Sequence, residues 1–323
     1  VSADTTPIRS RVVALSGGIG GAKLVLGLSR VVPAADLMVV VNTGDDFEHL
    51  GLAISPDLDT VMYVLAGLDD PQRGWGRRDE SWTFMAALAA IGGETWFQLG
   101  DGDLATHVER TRRRAAGETL SVVTAEFCRR LGIATRVVPM SDNKVRTRLH
   151  TSEGWLDFQD YFVHRRCAPT VMELSYDGAA TARAQADALA ALRDPWLRAV
   201  VICPSNPFIS IDPILAVPGM REAIANCAAP VVAVSPIIGG RAIKGPTAKM
   251  MTELGLAVNA TAVAPHYGDL LDGYVIDHAD GADAAALGIP VTMAHTLMTT
   301  LDDREQLARH VLAAADALAK ATV

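Results

Sequence analysis

The apolar run Arg11–Leu15 passes directly into Ser16-Gly17-Gly18-Ile19-Gly20-Gly21-Ala22-Lys23. A helical pattern follows, with Leu24, Val25, Leu28 and Val31 on one face and a stop near Pro33. Strand, glycine turn and helix in that order constrain the chain more than any other feature. They predict the first βα unit of a parallel sheet, with backbone N–H groups and a positive helix end aimed at one point beyond the sheet. Such a point favours phosphate or diphosphate. The turn is not a P-loop, and it departs from GxGxxG because Lys23 stands where the third glycine belongs. Glycines needed only for tight packing would also explain it. Lys23 argues for an anion, since a cation in the first turn opposes the helix dipole.

The rhythm of that unit recurs. Short β-branched runs at Leu37–Val41, Thr135–Val138, Ala199–Cys203, Val231–Ser235, Thr261–Ala264, Tyr274–Ile276 and Val291–Ala294 read as strands. Helical stretches such as Thr181–Leu192, Gly219–Asn226, Pro246–Leu254 and Arg304–Lys320 separate them. Continuous apolar strands alternating with helices predict a Rossmann-like, doubly wound α/β sheet covered on both faces. The middle breaks the pattern: consecutive helices from Ser81 to Leu131, then a hairpin of Val145–His150 and Trp155–Tyr161. We read the chain, 1–323, as one such domain in which 75–165 is a helical and hairpin insertion capping the carboxyl edge of the sheet.

The 323 residues are 50% hydrophobic, enough for a large core, and carry 29 Lys+Arg against 37 Asp+Glu, a net charge of −8. That acidity argues against a nucleic-acid or anionic-membrane binder. The one basic tract, Arg110 with Arg112, Arg113 and Arg114, reads as the solvated face of a helix at Asp103–Ala116. Cys128, Cys167, Cys203 and Cys227 show neither CxxC nor zinc-ligand spacing, as expected of buried thiols in a reduced, cytoplasmic protein. Val1–Ser10 has no apolar core of a signal peptide, and no apolar stretch reaches the roughly 20 residues of a membrane span.

Polar loops gather at strand ends. Asn42-Thr43-Gly44-Asp45-Asp46 ends the second strand, and Ser55-Pro56-Asp57-Leu58-Asp59 opens the next helix. Ser55 suits an N-cap, Pro56 the first helical position and Asp57 the first turn, so capping explains Asp57. Asp59 lies deeper; with Asp46 it offers hard oxygen ligands beside the diphosphate point, as magnesium requires. Gly100-Asp101-Gly102-Asp103 enters a helix that carries His107, where Asp103 as N-cap and His107 as an inner-face residue are the plain alternatives. Cys203-Pro204-Ser205-Asn206-Pro207 holds Ser205 and Asn206 at the sheet edge, and Ser235-Pro236-Ile237-Ile238-Gly239-Gly240 with Lys244-Gly245-Pro246 repeats that layout. Loops recurring at one end of successive strands build one cleft.

In this order, the segments resemble one family: the 2-phospho-L-lactate and phosphoenolpyruvate transferases of coenzyme F420 biosynthesis. Further carriers are Leu99-Gly100-Asp101, Ala105-Thr106-His107, Met140-Ser141-Asp142, Phe158-Gln159-Asp160 and Thr296-Leu297-Met298. The resemblance implies a magnesium-dependent transferase. It would move 2-phospholactate, phosphoenolpyruvate or 3-phosphoglycerate from a guanosine diphosphate adduct to the ribityl hydroxyl of the deazaflavin Fo, releasing GMP, in a protein that tends to be a homodimer. It implies that Gly17, Gly18, Gly20, Gly21 and Lys23 hold the nucleotide diphosphate with Ser205 and Asn206. It likewise implies that Asp45, Asp46 and Asp59 serve the metal, that Asp59 or Asp46 is the base, and that Asn42, Thr43, Asp59 and His107 face Fo. Where such transferases often have Gly-Asp-Arg-Asp, this chain has Gly100-Asp101-Gly102-Asp103 and lacks the arginine. Two competing readings remain: a non-catalytic nucleotide-sugar-binding regulator of carbon metabolism, and a nicotinamide-dependent dehydrogenase, which the glycine pattern disfavours.

Overall fold

Alternate residues of the strand Arg11–Ser16 (β1) enter different cores: Val13 and Leu15 join one buried cluster, Val12 and Ala14 the other. The same split holds in Leu37–Val41 (β2) and, from Ala199 onward, in Leu197–Ile202 (β4), so the sheet separates two hydrophobic layers. The computed structural model describes residues 9–321, and the stretch Val1–Ser10 lies almost wholly outside them. Among the described residues the central sheet has seven strands, completed by Arg136–Pro139 (β3), Val231–Val234 (β5), Gly273–Asp277 (β6) and Val291–Ala294 (β7). All pairings are parallel, and the order is β7-β6-β5-β4-β1-β2-β3. The winding reverses between β1 and β4, the point at which doubly wound sheets open a crevice at their carboxyl edge.

Helix α1 (Gly18–Val31) follows β1 and packs against α2 (Pro56–Ala66) and the last helix, Leu301–Ala321. Gly27 permits the second contact, because a Cβ there would meet the backbone of Arg304. The expected strand Thr261–Ala264 is instead the helix Ala260–His266. Asn259 caps it by accepting from the Ala262 N–H at 2.9 Å, and a four-residue β-branched run is too short for its periodicity to decide.

Between β2 and β3 the chain forms a small hairpin, Phe47–His49 with Leu52–Ile54, and the helices α2, α3 (Thr83–Ala90), α4 (Asp101–Ala115) and α5 (Leu120–Arg130). The expected second hairpin is present as Arg146–Thr151 and Gly154–Asp157, and gains an unforeseen third strand, Val171–Asp177. Its Phe158–Tyr161 end leaves the strand for a turn of π-helix. Among the described residues no helix is long and apolar enough to cross a membrane, and all four cysteines are free thiols.

Candidate active site

A cavity of about 550 Å³ opens at the reversal point, floored by Gly17, Gly18, Gly20 and Lys23 and closed over by Trp96, Phe97, Phe158 and Phe162. The glycines are there for close approach. Gly18 sits at φ +63°, and a Cβ on Gly17 would press on Ser210 and Asp57, one on Gly20 on the Pro204 carbonyl and one on Gly21 on Ser16 and Ser205. Gly21 itself does not reach the cavity wall. The loop after β4 thus lies directly on the turn after β1, and Ser205 Oγ accepts from Gly17 N–H at 3.2 Å and donates to Gly17 O at 2.8 Å. Asn206 lines the cavity but turns its carbonyl back to accept from Phe208 N–H at 2.9 Å, capping its own loop.

Asp57 does more than cap. Its Oδ1 accepts from Gly18 N–H at 2.7 Å and its Oδ2 from Asn42 Nδ2 at 2.8 Å. The positive end of α1 therefore already faces a carboxylate, and the first two amides of the glycine turn are held by Ser205 and Asp57. Asn42 is consumed by this architecture, since its carbonyl also accepts from Gly44 N–H at 2.8 Å. Neither Asn42 nor Thr43 reaches the cavity wall, whereas His107 and Asp59 do.

Asp45, Asp57 and Asp59 line the cavity; Asp46 does not, and its Oδ2 accepts from the Ser55 hydroxyl at 2.8 Å. Ser55, the N-cap of α2, therefore directs its hydroxyl to Asp46 rather than to its own helix. Burial raises all four carboxyl groups. Asp46 is pushed up to about 7 against the pull of Arg146 and Ser55. Asp57 is pushed up to about 6, and Asp45 well above its ordinary range by burial and the charge of Asp57. Asp45 Oδ1 and Asp46 Oδ1 are buried with no hydrogen-bond partner.

Asp59 is different. Arg110, wholly buried rather than on a solvated face, grips it with both guanidinium nitrogens: Nη1 donates to Oδ2 at 3.1 Å, and Nη2 donates to Oδ1. The helix α4 that carries Arg110 also brings His107 Nδ1 to 3.7 Å from Asp59 Oδ2 and His107 Nε2 to 3.2 Å from Asp103 Oδ2. Asp103 is not the N-cap of α4, a place taken by Gly100; it accepts the Tyr63 hydroxyl at 2.6 Å. Asp101 caps α3, accepting from the N–H groups of Thr83 at 3.1 Å and Phe84 at 3.0 Å. Asp59, Asp103 and His107 each bring one ligand atom within 4.8 Å of the others, but the Arg110 guanidinium already supplies a cation to Asp59. Spacing could have revealed this cluster, because Asp103, His107 and Arg110 fall on one face of a helix at i, i+4 and i+7.

A doubly wound sheet with a carboxylate-lined cavity at its reversal point is the architecture of an α/β protein that works at the carboxyl edge of its strands. Residues 12–314 match the family model described as 2-phospho-L-lactate transferase CofD, and the chain belongs to that family of transferases. It is 42% identical over 321 residues to the phosphoenolpyruvate transferase of Streptomyces coelicolor, covering 96% of this chain and all of that one (100%). It is 38% identical over 306 residues to the 2-phospho-L-lactate transferase of Methanosarcina mazei, covering 94% and 100%. Among solved structures, a UPF0052-family protein from Bacillus halodurans superposes with a TM-score of 0.65 at 16% identity, covering 94% of this chain and 99% of that one, a likeness of fold alone.

Proposed function

We propose that this transferase acts in coenzyme F420 biosynthesis, moving a three-carbon phospho-acid from its guanosine diphosphate adduct to the ribityl hydroxyl of Fo and releasing GMP. Enolpyruvyl phosphate is the acid put first, after the name carried by relatives at 42% identity. The observation that carries the reading is the lining of one cavity, which brings aromatic rings, carboxylates and Lys23 to a single wall. The rings of Trp96, Phe97, Phe158 and Phe162 suit a flat deazaflavin. A diphosphate belongs beside Lys23.

Magnesium fits the carboxylates. Asp45 and Asp46 present buried oxygens without partners, and a dication would answer the charge that burial otherwise penalises. Asp45, on the cavity wall, would hold the ion with Asp46 close behind, while Asp59 is engaged by Arg110. When bound, the ion neutralises diphosphate charge. The protein's own part is placement: phosphoryl transfer depends on in-line geometry and fixed charge more than on covalent chemistry. Asp59, fixed by Arg110 and raised by burial, takes the proton of the attacking hydroxyl as the new P–O bond forms and the bond to GMP breaks.

Incubation with Fo, magnesium and the three guanosine diphospho-acids in competition tests this by product mass. The expected result is a phosphodiester-linked deazaflavin and free GMP; a folded protein that makes none with any donor ends the reading. Asp59→Asn should lower kcat by about 10²–10⁴-fold with little change in KM for Fo.

A further inference from the structure

Three cations meet beside the main cavity and, among the described residues, none of them makes an ion pair. Lys23 and Lys244 line the main cavity and also a side pocket of about 90 Å³, which Arg304 and Trp75 help to wall. Lys23 Nζ donates to the Met298 carbonyl at 2.8 Å and makes no ion pair. Among the described residues Lys244 and Arg304 have no side-chain hydrogen bond or ion pair, and Arg304 Nε is buried without a partner. The arrangement is built in. Lys23 lies one turn before Gly27 on the same face of α1, and Gly27 is where the Arg304 backbone touches that helix. Gly74, at φ +73°, leaves the space that the Lys244 ammonium fills.

The mutual repulsion is felt: burial, Arg304 and Lys244, in that order, hold Lys23 below its ordinary range. Asp69, Asp70 and Asp303 are the nearby carboxylates, and Asp70 is committed to its own turn, accepting from the Gln72 N–H at 2.8 Å and the Arg73 N–H at 3.0 Å. Asp303 is committed to Thr299 and Thr300 at the start of the last helix, accepting from their N–H groups at 2.9 and 2.7 Å. That leaves Asp69 alone against three positive charges, unpaired with any of them. The glycine turn, by contrast, has its first two amides taken and a carboxylate at its mouth.

We propose that Lys23, Lys244 and Arg304 form an oxyanion seat that takes the acid-bearing end of the donor, in place of the glycine turn itself. The ligand chemistry is a phosphoryl or carboxylate group with at least two oxygens to share among three donors. The assignment of that ligand to a donor substrate rests on the function proposed above; the seat itself does not.

Calorimetric titration with inorganic pyrophosphate, GMP, GDP and the guanosine diphospho-enolpyruvate adduct tests it, without Fo or turnover. Wild type should bind pyrophosphate, and Lys244→Gln and Arg304→Gln should each weaken it about tenfold or more while leaving GMP unchanged. Equal weakening for GDP and the adduct assigns the seat to the diphosphate; weakening confined to the adduct assigns it to the carboxylate. Unchanged binding of all four ligands overturns the seat. Lys244 is exposed and unpartnered, so Lys244→Gln should fold with an unchanged or higher melting temperature even where Arg304→Gln does not. Binding through these cations in a protein that makes no product would overturn the functional reading and leave the seat standing.

Discussion

Two charged regions flank the same cavity and differ in how their charges are answered. On the α4 side the Asp59 carboxylate meets the Arg110 guanidinium and the Asp103 carboxylate the Tyr63 hydroxyl, with the His107 ring between the two, so partners from the chain itself answer these charges. On the α1 side, Lys23, Lys244 and Arg304 converge and, among the described residues, none of them pairs with a carboxylate. A charge partnered by the protein fixes geometry; a charge left over is completed by something that binds. The largest effect should come from breaking the paired side. Arg110→Met leaves the Asp59 carboxylate buried and alone, and should lower stability by about 3–5 kcal/mol in denaturant titration. The double variant Asp59→Asn, Arg110→Gln should recover part of that loss without restoring turnover. Equal stability of Arg110→Met and wild type would show that Arg110 does not answer the Asp59 charge.

The loop Asn42–Asp46 after β2 stands between these extremes, with its carboxylates buried but incompletely paired. Its pH dependence follows from sign. Asp46 is raised to about 7 in the folded protein, so between about pH 4 and 7 the native state holds a proton that the unfolded chain has released. Stability then falls as pH rises through that window, by up to about 4 kcal/mol for this group alone. Asp57, raised to about 6, adds to the fall at its lower end. Asp46→Asn should therefore gain stability relative to wild type from pH 4 to 8. Magnesium should raise the wild-type melting temperature at pH 8 and leave it unmoved at pH 5. A metal effect equal at both pH values would place the ion elsewhere.

Periodicity made the sheet legible: all seven central strands were found within a few residues and one strand too many was read, since β-branched apolar runs between helices have few other folds open to them. Thr261–Ala264 failed because its helix is decided by Asn259 and Pro265 outside the run. The glycine turn was legible as close approach, yet what approaches it, Asp57 and Ser205, comes from 39 and 188 residues away. The unpaired cations were opaque for the same reason, with Lys23, Lys244 and Arg304 brought together only by tertiary packing. One local sign existed: Gly27 in mid-helix costs helix stability and so marks a contact that needs it.

Arg110 and Arg112 sharpen the comparison within one helix and one basic tract. Both are paired with a carboxylate, Arg110 with Asp59 and Arg112 with Glu109, the latter through its Nε at 2.7 Å. The Arg112 side chain is 66% exposed and Arg110 only 2%. Water screens the exposed pair, and the entropy lost in holding two long side chains offsets the attraction. Inside the protein neither relief is available to a charge that loses its partner. Arg112→Ala should therefore leave the melting temperature and the transferase turnover within experimental error, while Arg110→Met moves both. Comparable losses from the two would mean that the tract acts as one electrostatic surface, and that burial, two positions apart, does not separate scaffold from solvated charge.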